Sequence, residues 1–179
     1  MIKTLIFGHR GCSKEAPENT MSAFKYALDC GADGVELDIR YTKEDEIVVF
    51  HDPDLKRLFG LSARVDEMTA QELLRLDFGN YMQGFEREHI PLFSQVLEMH
   101  KSKPSVFINV EIKADGKNKK NLAVQAALMT GAAGLTDRII FSSFDEECLK
   151  AVSQTVAGAK TALLFSQSSK GKIDLALQN

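Results

Sequence analysis

Seven side chains in this sequence carry chemistry: two histidines, His9 and His51, three carboxylates, Glu36, Asp38 and Glu111, and two cations, Arg10 and Lys113. In Gly34-Val35-Glu36-Leu37-Asp38-Ile39 the alternation of a strand puts Glu36 and Asp38 on one face and Val35, Leu37 and Ile39 on the other. The device recurs further on, where Asn109, Glu111 and Lys113 point one way while Val110 and Ile112 point the other. Three carboxylates without a cysteine suit one hard divalent cation, Mg²⁺ or Ca²⁺, bound through oxygen and completed by water and substrate oxygens; zinc is less favoured. Imidazoles titrate close to neutral pH, so His9 and His51 beside such a cation could supply general acid and general base. Arg10 and Lys113 provide the positive charge that a phosphate requires. The set describes a phosphodiester-cleaving site better than an acyl-transferring one, because the chain has no serine elbow and no Cys/His signature.

These side chains need regular elements to hold them. Apolar, β-branched runs at residues 4–8, 34–39, 47–50, 106–112, 138–142 and 161–165 read as strands. Helical spacing fills most intervals. Met21, Phe24 and Leu28 repeat at three and four, with Gly31 as a stop; Thr69 and Glu72 form a capping-box pattern ahead of Leu73, Leu74 and Leu76. Further helices are expected over 92–101, where Phe93, Val96 and Leu97 lie on one side, and over 119–130 and 146–156. Strand and helix alternate, which predicts an α/β fold. Residues 40–46 are too few for a crossover helix, so the second and third strands should form a hairpin. That hairpin brings His51, at the end of the third strand, beside Glu36 and Asp38, while His9 follows directly on the first strand. The long interval 53–91 is expected to be an insertion over a functional face.

The 179 residues suffice for one domain, and a net charge of −3 gives no global field that would favour nucleic acid or an anionic membrane. Cys12, Cys30 and Cys148 are scattered and odd in number, as expected of reduced thiols. Leu5-Ile6-Phe7 is too short for a signal-peptide core or a membrane span, and the expectation is a cytoplasmic protein. His89, in a charged loop, and His100, near a helix C-terminus that favours positive charge, are not expected to be catalytic. Lys117, Lys119 and Lys120 read as a solvated approach to a helix. Glu18 is placed to order Arg10 or its turn, and Pro17 and Asn19 suit the entry to the following helix.

In order and content these motifs resemble the glycerophosphodiester phosphodiesterase family. His9-Arg10-Gly11 with Pro17-Glu18-Asn19-Thr20 is similar to its opening signature. The run from Gly31 to Asp38 with His51-Asp52-Pro53 is similar to the second, and Val110-Glu111-Ile112-Lys113 to the third. Weaker similarity continues through Ile90-Pro91 and Ser142-Ser143-Phe144. The resemblance implies a TIM-type β/α barrel over residues 1–179, with 53–91 as a small subdomain beside its mouth. It implies Glu36, Asp38 and Glu111 as ligands of the divalent cation, His9 and His51 as the acid/base pair, and Arg10 and Lys113 as phosphate contacts. Its substrates are small glycerophosphodiesters, cleaved to glycerol 3-phosphate and an alcohol through attack by the glycerol hydroxyl and opening of a cyclic phosphate by water.

Six strands fall short of eight, so the barrel is expected to be incomplete at its C-terminal end. The chain would then be a piece of a longer protein, or one protomer of a homo-oligomer that covers the open edge and buries Ile173, Leu175 and Leu177. Two other readings stand beside the enzyme: a truncated, inactive barrel serving as a binding or assembly module, and a related phosphodiesterase of lysophospholipids or phosphoinositides. All seven chemical residues precede residue 114, which favours an enzyme.

Overall fold

The computed structural model describes residues 4–79, 81–85, 87–116 and 118–165. Six strands are present among them: β1 (Phe7–Gly8), β2 (Gly34–Tyr41), β3 (Ile47–Val49), β4 (Phe107–Ile112), β5 (Ile139–Ser143) and β6 (Lys160–Leu163). They form one sheet in the order β1-β2-β4-β5-β6, every pair on that path parallel, with β3 antiparallel on β2. The helices are α1 (Met21–Asp29), α2 (Lys56–Phe59), α3 (Ala70–Leu73), α4 (Phe93–Lys101), α5 (Lys119–Ala132) and α6 (Glu146–Thr155). The expected alternation is present. The four-residue α2 was not legible, because so short a turn has no apolar period, and α3 is shorter than its leucines suggest.

The main core lies between the outer face of the sheet and the long helices. Val35, Leu37 and Ile39 of β2, Ile108, Val110 and Ile112 of β4, and Phe141 of β5 pack with Phe24 of α1, Phe93 and Val96 of α4, Leu122 of α5 and Val152 of α6. Each such side chain contributes on the order of 1.5–3 kcal/mol on burial, so the register of every strand is fixed by its apolar face. The polar residues between them have only the inner face left. Local signals agree: Thr20 accepts a hydrogen bond from Ala23 N at the start of α1, and Thr69 and Glu72 form the expected capping box.

The hairpin is also as expected, with Ile39 opposite Val49 and Tyr41 opposite Ile47. β4 occupies one edge of β2 from Gly34 to Ile39, so β1 and β3 must share the other. β1 covers Gly34 and Val35 and β3 covers Ile39 to Tyr41, which leaves a gap along Glu36 to Asp38. Chain leaves the sheet at both ends of that gap.

Between β3 and α4 a second apolar cluster joins Val48 and Phe50 to Leu55, Val65, Leu73, Phe78 and Ile90. Phe50 and Phe78 meet edge to face at 5.5 Å between centroids. The sheet is not closed among the described residues: β1 and β6 are its two ends. Ile173, Leu175 and Leu177 lie outside the described residues. No helix among the described residues is long and apolar enough to cross a membrane.

One expectation needs correction. His100 does not carry positive charge at its helix end: it is buried, and burial, followed by the charges of Arg138 and Lys103, pushes it down to about 4. Arg138 supplies the cation instead, donating to the carbonyls of His100 at 3.3 Å and Lys103 at 2.7 Å.

Candidate active site

The turn after β1 is built by close packing. Gly11 has φ +77°, and a Cβ there would stand 2.5 Å from the carbonyl carbon of Ala23 in α1. Only glycine allows that approach. Arg10 itself is left-handed at φ 54°, held by Asn19 N donating to its carbonyl at 2.9 Å and by its own N–H donating to Glu36 Oε2 at 2.8 Å. The backbone thus aims His9 and Arg10 into the gap beside β2. From the other end, Phe50 N donates to Asp38 O at 2.9 Å, and the next residue is His51.

Glu36, Asp38 and Glu111 converge: each offers an oxygen within 4.8 Å of the others. Strand register does this, since Asp38 of β2 lies opposite Glu111 of β4 and Glu36 opposite Asn109. Asp38 is fully buried, its Oδ2 accepting from Asn19 Nδ2 at 2.8 Å with Arg10 Nε at 3.5 Å. Lys113 Nζ stands 2.8 Å from Asp38 Oδ1 and 2.5 Å from Glu111 Oε1. Burial, then the neighbouring charges of Asp38 and Glu111, push Glu36 up to about 7 against the hydrogen bond from Arg10 N.

Oxygen donors, no thiolate and an excess of buried negative charge fit a hard divalent cation. Asp38 Oδ1 supports that fit, because it is buried without an aligned hydrogen bond and is met only by the ion pair with the Lys113 ammonium at 2.8 Å, so that positive charge already stands where a cation would. Asn109 Oδ1 and Ser142 Oγ, on the same inner face, are likewise buried without a hydrogen-bond partner among the described residues.

The histidines flank the carboxylates. His9 is exposed, with Nε2 3.8 Å from Glu36 Oε2. His51 is tied through Nδ1 to Asp52 Oδ1 at 2.7 Å. Its carbonyl accepts from Arg40 Nε at 2.8 Å and Nη2 at 2.6 Å, and Arg40 also pairs with Asp115 at 2.6 Å. Beside His51, Glu111 and Lys113 opens a cavity of about 470 Å³, walled by Arg40, Asp115, Pro53 and Phe144. Asp52 and Glu18 are partly desolvated, which would raise their carboxyls. Hydrogen bonds from His51 and Arg57 to Asp52, and from Arg57 and Arg10 to Glu18, nonetheless hold both below the usual range.

All seven residues expected from sequence are therefore brought to one place. Glu18 orders Arg10 as expected, donated to by Nη1 at 3.1 Å. Asn19 does more than enter the helix, since it binds Asp38. Asn19, Arg40, Asp52 and Arg57 were missed; Asp52 had a signal, a carboxylate adjoining a histidine, whereas Arg40 and Arg57 had none. Of the lysine run, Lys119 pairs with Asp145 and Lys120 with Glu147, and Lys117 lies outside the described residues.

A family model described as the glycerophosphoryl diester phosphodiesterase family matches residues 9–176. The chain belongs to this family. Within it, the chain is 34% identical over 165 residues to the glycerophosphodiester phosphodiesterase of Caldanaerobacter subterraneus subsp. tengcongensis, covering 92% of this chain and 68% of that protein. It is equally 34% identical over 165 residues to the glycerophosphodiester phosphodiesterase of Bacillus altitudinis, covering 90% and 66%. The crystal structure of the glycerophosphodiester phosphodiesterase of Thermotoga maritima superposes with a TM-score of 0.74 at 32% identity, over 99% of this chain and 70% of that one. The chain thus spans about two thirds of the length of these relatives. Membership of a phosphodiesterase family makes this a hydrolase-type α/β chain, its open parallel sheet part of a TIM-type barrel.

Proposed function

We propose that the chain hydrolyses glycerophosphodiesters to glycerol 3-phosphate and an alcohol, with one divalent cation, Mg²⁺ or Ca²⁺, held by Glu36, Asp38 and Glu111. The observation that carries this is the convergence of those three carboxylates between two histidine-bearing chain segments. A cation bound there would polarise the phosphoryl oxygens and stabilise their developing charge. Arg10 and Lys113 contact the phosphate and neutralise what remains. His51, with Nδ1 engaged by Asp52, presents Nε2 as the atom that takes or gives the proton; His9, exposed at the other side, is its partner. One deprotonates the glycerol hydroxyl as it attacks phosphorus, and the other protonates the leaving alcohol. Their roles reverse when water opens the cyclic phosphate.

Residues 53–91 form the small subdomain beside this site, from which Arg57 and Tyr81 reach Glu18. Free thiols and a net charge of −3 support a cytoplasmic enzyme of small molecules rather than of nucleic acid. The test is release of glycerol 3-phosphate from diesters of differing head group, with Mg²⁺, with Ca²⁺ and with chelator. Cation-dependent release that is lost in Glu111→Gln is expected. A folded protein that releases none, or releases it equally in chelator, would overturn the proposal.

A further inference from the structure

Arg57, in α2, extends out of the segment 53–91 to two carboxylates on different loops. Its Nε donates to Asp52 Oδ2 at 2.6 Å, while Nη1 and Nη2 donate to Glu18 Oε2 at 2.9 Å and Oε1 at 2.5 Å. The contact with Glu18 is a two-pronged fork, which a guanidinium makes and an ammonium cannot. Each carboxylate is bound in turn to a site residue: Asp52 Oδ1 to His51 Nδ1, and Glu18 Oε1 to Arg10 Nη1. The result is a line of alternating charge, Arg10, Glu18, Arg57, Asp52, His51. Glu18 is anchored from the same segment by its N–H, which donates to Tyr81 Oη at 2.9 Å. With the guanidinium in place Asp52 and Glu18 are both mostly covered, with side-chain exposures of 17% and 14%.

We propose that Arg57 is a positioning residue of this site, acting through Asp52 on the tautomer and orientation of His51 and through Glu18 on the aim of Arg10. An Asp52 held by Arg57 accepts the Nδ1 proton of His51 and leaves Nε2 as the basic nitrogen. Without Arg57 that carboxylate is free to turn away. Both loops are thereby tied to one side chain of segment 53–91. The kinetic consequence rests on the hydrolytic function proposed above; the effect on His51 itself does not.

The test uses Arg57→Ala and Arg57→Lys in the whole chain, ring-¹⁵N-labelled at histidine. The wild-type His51 ring should report the Nδ1-protonated tautomer. In Arg57→Ala it should shift towards the mixture of free imidazole. With substrate, kcat/KM should fall about 10- to 100-fold, the KM should rise through Arg10, and the His51 limb of the pH profile should move. Arg57→Lys should recover only part, because one ammonium cannot bridge both carboxylates. A folded Arg57→Ala with the wild-type tautomer, pH limb and KM would overturn the inference and leave Arg57 a mere clamp on the segment. If Arg57→Ala does not fold, Arg57→Lys decides: wild-type tautomer, pH limb and KM in that variant overturn the proposal equally. If the wild type hydrolyses no diester, the proposed function fails, and the ring spectra still judge Arg57.

Discussion

Cation binding should weaken steeply below neutral pH, because a proton and the cation compete for Glu36. Its carboxyl stands at about 7 rather than 4.5, through burial and then the charges of Asp38 and Glu111. Above that value the carboxylate is free to bind; well below it, each unit of pH leaves only about a tenth as much of it ionised. The apparent association constant is divided by one plus the ratio of protonated to ionised carboxyl, a factor of about 1.1 at pH 8 and about 100 at pH 5. Affinity should therefore fall about 90-fold over that interval, roughly 2.7 kcal/mol, whereas a carboxyl of ordinary value would cost only about 1.3-fold. Calorimetric titration with Mg²⁺ and with Ca²⁺ across that range measures it directly, with thermal melting to show that the protein stays folded. Glu36→Gln should bind more weakly at high pH and lose most of the slope. A wild-type affinity that changes less than about threefold, or an undiminished slope in Glu36→Gln, would refute the electrostatic reasoning.

Substituting His9→Ala or His51→Ala should each lower turnover by about 10²- to 10⁴-fold while leaving cation affinity nearly unchanged; full turnover in either variant would remove that histidine from the mechanism. His100 predicts an acid-sensitive fold. Its folded value of about 4 lies below the ordinary 6.5, so the unfolded chain binds the extra proton between them, and stability present above 6.5 is lost as pH falls towards 4. Urea unfolding should show roughly 2 to 3 kcal/mol less stability from this group at pH 4.5 than at pH 7, a difference that His100→Met should abolish; an equal drop in both proteins would count against it. Gly11→Ala forces a side chain against Ala23 at φ +77° and should cost on the order of 1–3 kcal/mol while displacing His9 and Arg10. Unchanged melting and turnover in that variant would show that the turn is less constrained than its packing indicates.

The sequence by itself determined whatever the backbone makes local. A strand's period of two is fixed by its geometry, so Glu36 and Asp38 had to share a face, and so did Glu111 and Lys113. The short link at 40–46 determined the hairpin, because no crossover helix fits it. Thr69 and Glu72 cap a helix because each satisfies a backbone donor of the other's residue. What the tertiary structure decided is adjacency. Nothing local says that β2 lies between β4 on one edge and β1 with β3 on the other, yet that order puts Glu111 opposite Asp38 and opens the gap into which both histidine segments run. Burial decides likewise which charges survive: it raises Glu36 and neutralises His100, shifts that no local pattern in the chain announces. Asn19, Arg40 and Arg57 acquire their roles from hydrogen bonds between segments distant in sequence. Such bonds depend on positions to within a few tenths of an ångström, a precision set by the packed core beneath them rather than by any spacing along the chain.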